Sequence, residues 1–157
     1  MGKVYLFDWG DTLMVDFPDQ SGKMCDWEKV RAVDGAKDTL AHLSKTHQIY
    51  VATNAADSTE ADIKRAFERV GLSFYIHGYF CKANLGIGKG SPAFFQKIIE
   101  KLNVPASEMV MVGDTIDKDI DPALQAGISA VWLNTLGVNT SPHDDYRQIS
   151  NLTSLIE

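Results

Sequence analysis

The chain has 157 residues, 45% hydrophobic and 23% charged, a length and composition that fit one folded domain with a single core and exclude a disordered segment. A net charge of −6 and a pI near 5.1 argue against nucleic acid as a default partner. The two cysteines, Cys25 and Cys81, lack metal-ligand spacing, no signal peptide opens the chain, and no apolar run approaches membrane-spanning length. The expectation is a cytoplasmic protein with reduced thiols.

In chain order, Val4-Tyr5-Leu6-Phe7 is an apolar, β-favouring run that ends in Asp8, followed by Trp9-Gly10-Asp11-Thr12-Leu13. A buried strand that delivers a carboxylate into a cleft has this form, and so does a strand running into an Asx-turn. Residues 14–23, with Pro18 and Gly22, carry no helical or strand period and predict a loop or small hairpin beside that carboxylate. A helix is predicted around 34–45, with Ala36, Leu40 and Leu43 on one face and Asp34 as cap. Gln48–Ala52 predicts a second strand ending at Thr53-Asn54. Asp57 with Glu60 makes a capping-box pattern, opening a helix that carries Ile63, Phe67 and Val70 and stops at Gly71.

A short third strand is predicted over 78–82. The loop Gly86-Ile87-Gly88-Lys89-Gly90 then leads into a helix with Ser91 as N-cap, Pro92 at its first position and a stripe of Phe95, Ile98, Ile99 and Leu102. Met109-Val110-Met111-Val112-Gly113-Asp114 repeats the grammar of the first strand: an apolar run that ends in an acid. A helix over 120–126, a fifth strand over 129–133, a short edge strand over 146–149 and a last helix over 152–157 complete the chain. The alternation of strands and helices predicts an α/β fold, a parallel sheet covered by helices on both faces. Ligands in such sheets bind beyond the carboxyl ends of the strands. Two strand-end carboxylates brought side by side repel strongly, and a hard divalent cation relieves that; oxygen ligands suit Mg²⁺.

Taken together, the strand ends resemble the haloacid dehalogenase (HAD) superfamily of hydrolases and phosphotransferases over nearly the whole chain. Four motifs stand in order: Asp8-Trp9-Gly10-Asp11-Thr12-Leu13 against the family's Asp-x-Asp-Gly-Thr-Leu; Thr53-Asn54 after the second strand; Lys89 in Gly88-Lys89-Gly90-Ser91-Pro92-Ala93-Phe94-Phe95; and Gly113-Asp114-Thr115-Ile116-Asp117-Lys118-Asp119, followed by Ala126-Gly127. The resemblance implies a three-layer α/β/α Rossmann-like domain with a mainly parallel five- to six-stranded sheet. It also implies a Mg²⁺-dependent phosphatase with Asp8 as nucleophile, forming an aspartyl-phosphate. By the same resemblance Asp8, Asp114 and the carbonyl of Gly10 hold the metal, Lys89 neutralises carboxylate and phosphate, and Thr53 with the Asn54 amide binds the phosphoryl oxygens. Asp119 either accepts from water on the metal or holds Lys89 in place.

One departure concerns proton transfer. The family's phosphatases carry an acid two residues after the nucleophile, and here that position is Gly10, with Asp11 one place on. Three readings stay open: Asp11 swings into the role, the enzyme is slow or limited to good leaving groups, or the chain is a phosphate-binding relative with little turnover. A second departure is size. Little beyond 14–23 is available as a lid, so residues 1–157 are expected to form a single capless domain, with Trp9 and Trp27 as candidates for the entrance. The expected partner is a phosphorylated substrate, small molecule or macromolecule, with no nucleic-acid scaffold and no membrane.

The rivals fit less well. Asp117–Asp121 imitates a calcium loop, but Pro122 and Ile128 occupy the places of its Gly and Glu. Gly88-Lys89 lacks the remainder of a P-loop. His42, His47, His77 and His143 are scattered. Dehalogenases of the family also lack the second acid, but they work without metal under a cap. A response-regulator receiver would carry its phospho-acceptor after the third strand, where there is no Asp.

Overall fold

The computed structural model describes residues 2–53, 58–134 and 146–156. Six strands, β1 (Val4–Phe7), β2 (Gln48–Ala52), β3 (Gly78–Phe80), β4 (Met109–Gly113), β5 (Ser129–Leu133) and β6 (Arg147–Ile149), form one sheet in the order β3-β2-β1-β4-β5-β6, every pairing parallel. The chain winds outward in both directions from β1. The reversal of strand order therefore falls between β1 and β4, where Phe7 pairs with Val112.

The helices are α1 (Ala36–Leu43), α2 (Glu60–Arg69), α3 (Lys82–Leu85), α4 (Pro92–Leu102) and α5 (Asp121–Gln125). Side chains alternate across the strands, so each strand feeds two cores. Phe7, Ile49, Val51, Val110 and Val112 pack against Leu40 of α1 and Ile63 and Phe67 of α2. Leu6, Ala52, Met109 and Met111 pack against Phe94, Phe95 and Ile98 of α4 and Ala123 of α5. Both faces are covered, which is why the central strands read as unbroken apolar runs. The predicted three-layer α/β/α arrangement is what the chain adopts, with six strands. Among the described residues, no helix is long and apolar enough to cross a membrane.

Several local expectations give way. Helix α1 starts later than predicted, after Gly35 at φ 83°, and Asp34 pairs with Arg31 at 3.0 Å instead of capping. The cap of α2 is Thr59, whose hydroxyl accepts from the Asp62 amide while Asp62 Oδ2 accepts from the Thr59 amide. The capping box is thus shifted from the predicted Asp57–Glu60 pair, and Asp57 lies outside the described residues. Ser91 does precede α4, with Pro92 first, but its side chain makes no capping bond. A four-residue helix, α3, precedes the Gly86–Gly90 loop and was not predicted. The helix after β4 begins early, as a π-helical turn over Ile116–Ile120 that runs into α5. The final segment, Leu152–Ile156, is 3-10 helical.

Candidate active site

The cleft opens beyond the carboxyl ends of β1, β2 and β4. The Asp8 amide continues the ladder one step past β1, donating to Val112 O at 2.9 Å, which fixes the backbone from which the Asp8 carboxylate projects. Lys89 arrives from the loop before α4. Its ammonium donates to Asp8 Oδ1 at 2.7 Å and to Ala52 O at 3.0 Å, and it ion-pairs with Asp119 Oδ1 at 2.6 Å. Among the described residues, three oxygens thus face the three protons of this ammonium. The Lys89 side chain is 2% exposed, so its charge is held by these partners and not by water. Burial alone would lower its pKa, but the carboxylates of Asp8 and Asp119 outweigh that and hold it above the ordinary lysine value.

Asp119 is positioned by the π-helical turn. Its Oδ2 accepts from the Thr115 amide at 3.2 Å, and the carboxylate lies flat against the backbone of Gly113. A methyl group on Gly113 would come 2.2 Å from Asp119 Oδ2, so only glycine fits before Asp114. Asp114 in turn is steadied by its neighbours: Thr115 Oγ1 donates to its Oδ1 at 3.2 Å, and the Trp132 indole donates to its carbonyl at 3.0 Å. Thr12 Oγ1 donates to Asp8 Oδ2 at 3.3 Å.

Oxygens of Asp8, Asp114 and Asp119 all lie within 4.8 Å of one another, and the buried ammonium of Lys89 pairs with Asp8 and Asp119. The pKa of Asp114 is pushed up to about 7, by burial first and then by the adjoining Asp8 and Asp119. That of Asp119 is pushed up to about 6, by burial and the Asp8 charge, against the pull of Lys89. The floor is therefore short of positive charge. Its donors are oxygens throughout, the set a hard divalent cation takes.

Of the residues predicted from sequence, Asp8, Asp114, Asp119 and Lys89 come together. Thr53 follows β2, donates its amide to Phe80 O at 3.0 Å and lines the cleft. Asn54 lies outside the described residues. Gly10 and Asp11 form the near wall, with Asp11 in the left-handed region at φ 60° and exposed. Trp9 and Trp27 both line the cleft while being mostly buried: Trp9 packs on Phe67, and the Trp27 indole donates to Gly22 O at 3.1 Å. The cleft encloses about 380 Å³.

Sequence reasoning missed Asp16, which also lines the cleft. Its pKa is raised by partial burial, then by Asp11 and Asp8. It missed the indole of Trp132 as well, which reaches Asp114 from a neighbouring strand and leaves no local pattern.

The family model of haloacid dehalogenase-like hydrolases matches residues 10–127. The chain belongs to the haloacid dehalogenase-like hydrolase family. Within it, the chain is 28% identical over 127 residues to the 5-amino-6-(5-phospho-D-ribitylamino)uracil phosphatase of Escherichia coli (strain K12), covering 76% of this chain and 50% of that one. It is 31% identical over 119 residues to the ribulose-1,5-bisphosphate 5-phosphatase of Halopiger xanaduensis, covering 75% and 46%. The chain spans about half the length of the curated relatives it matches. Among solved structures, a protein from Listeria monocytogenes serotype 4b superposes with a TM-score of 0.84 at 22% identity, covering 97% of this chain and 93% of that one, a likeness of fold. The chain thus belongs to a family of hydrolases, has phosphatases among its relatives, and carries an acidic cluster at the carboxyl end of its sheet.

Proposed function

We propose that this HAD-family hydrolase is a Mg²⁺-dependent phosphatase acting on phosphoric monoesters through an aspartyl-phosphate on Asp8. The observation that carries the reading is the floor of the cleft: one buried ammonium, Lys89, shared by Asp8 and Asp119, with Asp114 in reach of both. A carboxylate destined to attack a phosphate dianion needs the repulsion between them offset, and Lys89 is held against Asp8 to do that. Asp8, Asp114 and the Gly10 carbonyl would hold Mg²⁺, which supplies further charge neutralisation when bound. Asp119 acts on Lys89, keeping its ammonium aimed at Asp8, which favours the second of its two predicted roles. Thr53 and the Asn54 amide would bind the phosphoryl oxygens.

The relatives this chain matches include phosphatases named for small phosphorylated molecules, among them a ribitylaminouracil phosphate, ribulose 1,5-bisphosphate and glyceraldehyde 3-phosphate, and such a molecule suits a cleft of about 380 Å³. We read residues 1–157 as one capless domain, because every described strand belongs to one sheet, with Asp11, Asp16, Gly22, Met24 and Trp27 of the segment after β1 lining the cleft. Buried, unpaired Cys25 and Cys81 and the acidic net charge support a cytoplasmic protein with no nucleic-acid or membrane partner.

The test is hydrolysis of aryl and alkyl phosphates by the wild-type protein and Asp8→Asn, with Mg²⁺ and with chelator. Turnover that needs Mg²⁺ and drops by on the order of 10³-fold or more in Asp8→Asn is expected. Binding of phosphate without turnover would leave a catalytically silent phosphate-binding protein in place of the enzyme.

A further inference from the structure

We infer that Asp16, not Asp11, is the proton donor and acceptor of this site, its carboxylate filling the space left open by glycine at position 10. The inference rests on the phosphatase reading above and names a residue that reading lacks. A methyl group placed on Gly10 would lie 3.5 Å from both Cβ and Oδ2 of Asp16. That is ordinary contact, so the volume into which a longer side chain at position 10 would project is the volume that Asp16 occupies. One carboxylate fits there, and the chain supplies it from six residues further on.

Asp11 is committed elsewhere. At φ 60° it turns the chain, and its Oδ1 accepts the Asp16 amide at 3.0 Å. Around it, the Asp11 amide donates to Met14 O, the Val15 amide donates to Arg31 O at 2.9 Å, and Met14 bridges to Ala32. These bonds close a tight loop that carries Asp16 back over the cleft beside Asp8 and fixes its backbone. Among the described residues the Asp16 carboxylate itself makes no hydrogen bond or ion pair, leaving it available to a substrate oxygen. Asp11 is thus a positioning residue for Asp16.

An Asp8 oxygen attacks phosphorus, and the bond from phosphorus to the ester oxygen breaks with its electron pair on that oxygen. The leaving oxygen takes the proton of the Asp16 carboxylic acid and departs as an alcohol, leaving Asp16 as carboxylate. Asp16 then takes a proton from water as the water oxygen attacks phosphorus. The bond from phosphorus to Asp8 breaks, returning its electron pair to the Asp8 carboxylate, and inorganic phosphate is released.

A general acid matters in proportion to how poor the leaving group is, and a base matters for the second step whatever the first leaving group was. The experiment compares p-nitrophenyl phosphate with an alkyl phosphate for wild type, Asp16→Asn, Asp11→Asn and the double variant Gly10→Asp/Asp16→Ala, with Mg²⁺, after a thermal melt of each. For Asp16→Asn, alkyl phosphate turnover should fall about 10²–10⁴-fold. The aryl substrate should still give a burst of nitrophenol, with aspartyl-phosphate accumulating. Asp11→Asn should show the same pattern more weakly, and the double variant should recover alkyl phosphate turnover relative to Asp16→Asn. Asp16→Asn behaving like wild type, losing both substrates equally without a burst, or ranking below Asp11→Asn in effect would overturn the assignment while leaving the phosphatase reading intact. A wild-type protein inert on both substrates would remove that reading, and this inference with it.

Discussion

The floor of the cleft and its rim are built on opposite plans. The floor gathers Asp8, Ala52, Lys89, Asp114 and Asp119 from several stretches of the chain at the carboxyl end of the sheet, with Lys89 and Asp119 almost wholly buried. The rim, 11–31, is one continuous segment. It is tied down by Lys23 to Asp62 at 3.0 Å, by Arg69 to the carbonyls of Cys25, Trp27 and Glu28, and by the pairing of Val15 with Arg31. Buried charge is concentrated in the floor, and separate, partly exposed contacts hold the edge. In the floor, a single lost partner strands a buried charge; in the rim, it loosens a tether.

The largest effect that sharpens this contrast is expected at Lys89. Lys89→Met leaves the buried Asp119 carboxylate and Asp8 without their cation, and breaking such a pair costs about 3–5 kcal/mol. For a domain of this size the melting temperature should fall by roughly 10 °C, read by calorimetry, along with loss of turnover. A shift no larger than that of a rim variant would mean that the floor tolerates a stranded charge as readily as the rim tolerates a lost tether.

The second effect concerns pH. In the metal-free protein Asp114 and Asp119 hold their protons up to about pH 7 and 6, whereas the unfolded chain releases them near 3.8. Between those limits the folded state binds more protons than the unfolded one. Stability is therefore full below the lower value and declines as pH rises through the upper ones. Chemical denaturation at pH 5 and pH 7.5 in chelator should show the decline, and Mg²⁺ should flatten it. A flat metal-free curve would mean that the floor is not short of positive charge.

The smallest effect is at the rim. Arg69→Ala removes an exposed guanidinium that holds three carbonyls of the segment 25–28, at a cost of about 1 kcal/mol. Faster proteolysis within 15–31 and a raised KM with little change in kcat are expected. A large fall in kcat instead would mean that the segment 25–28 is as tightly coupled to the chemistry as Asp16 and the floor.

The same contrast governs what the sequence discloses. Asp8 and Asp114 announce themselves because an apolar run ending in an acid is a local pattern, and Lys89 because a glycine-rich turn and a proline-led helix surround it. Asp119 is recognisable only through the family motif; the reason for the glycine at 113 becomes visible only when the Asp119 carboxylate is seen lying against it. Asp16 could not be found by spacing, since its relation to Gly10 runs through space across a turn whose left-handed residue is an aspartate. The shifted helix caps fail for a simpler reason. Asp57, Ser58 and Thr59 are all competent caps in a row, and tertiary packing decides which is used.

The strand order has a consequence for how such a protein comes into being. β1 lies mid-sheet, with β4 as its neighbour on one side, so a chain emerging from the ribosome shows an unpaired central edge until its fourth strand is made. Asp8 has no Asp114 beside it before that moment. Closure of that central gap and the meeting of Asp8 with Asp114 thus arrive together, with β5 and β6 added afterwards at the edge.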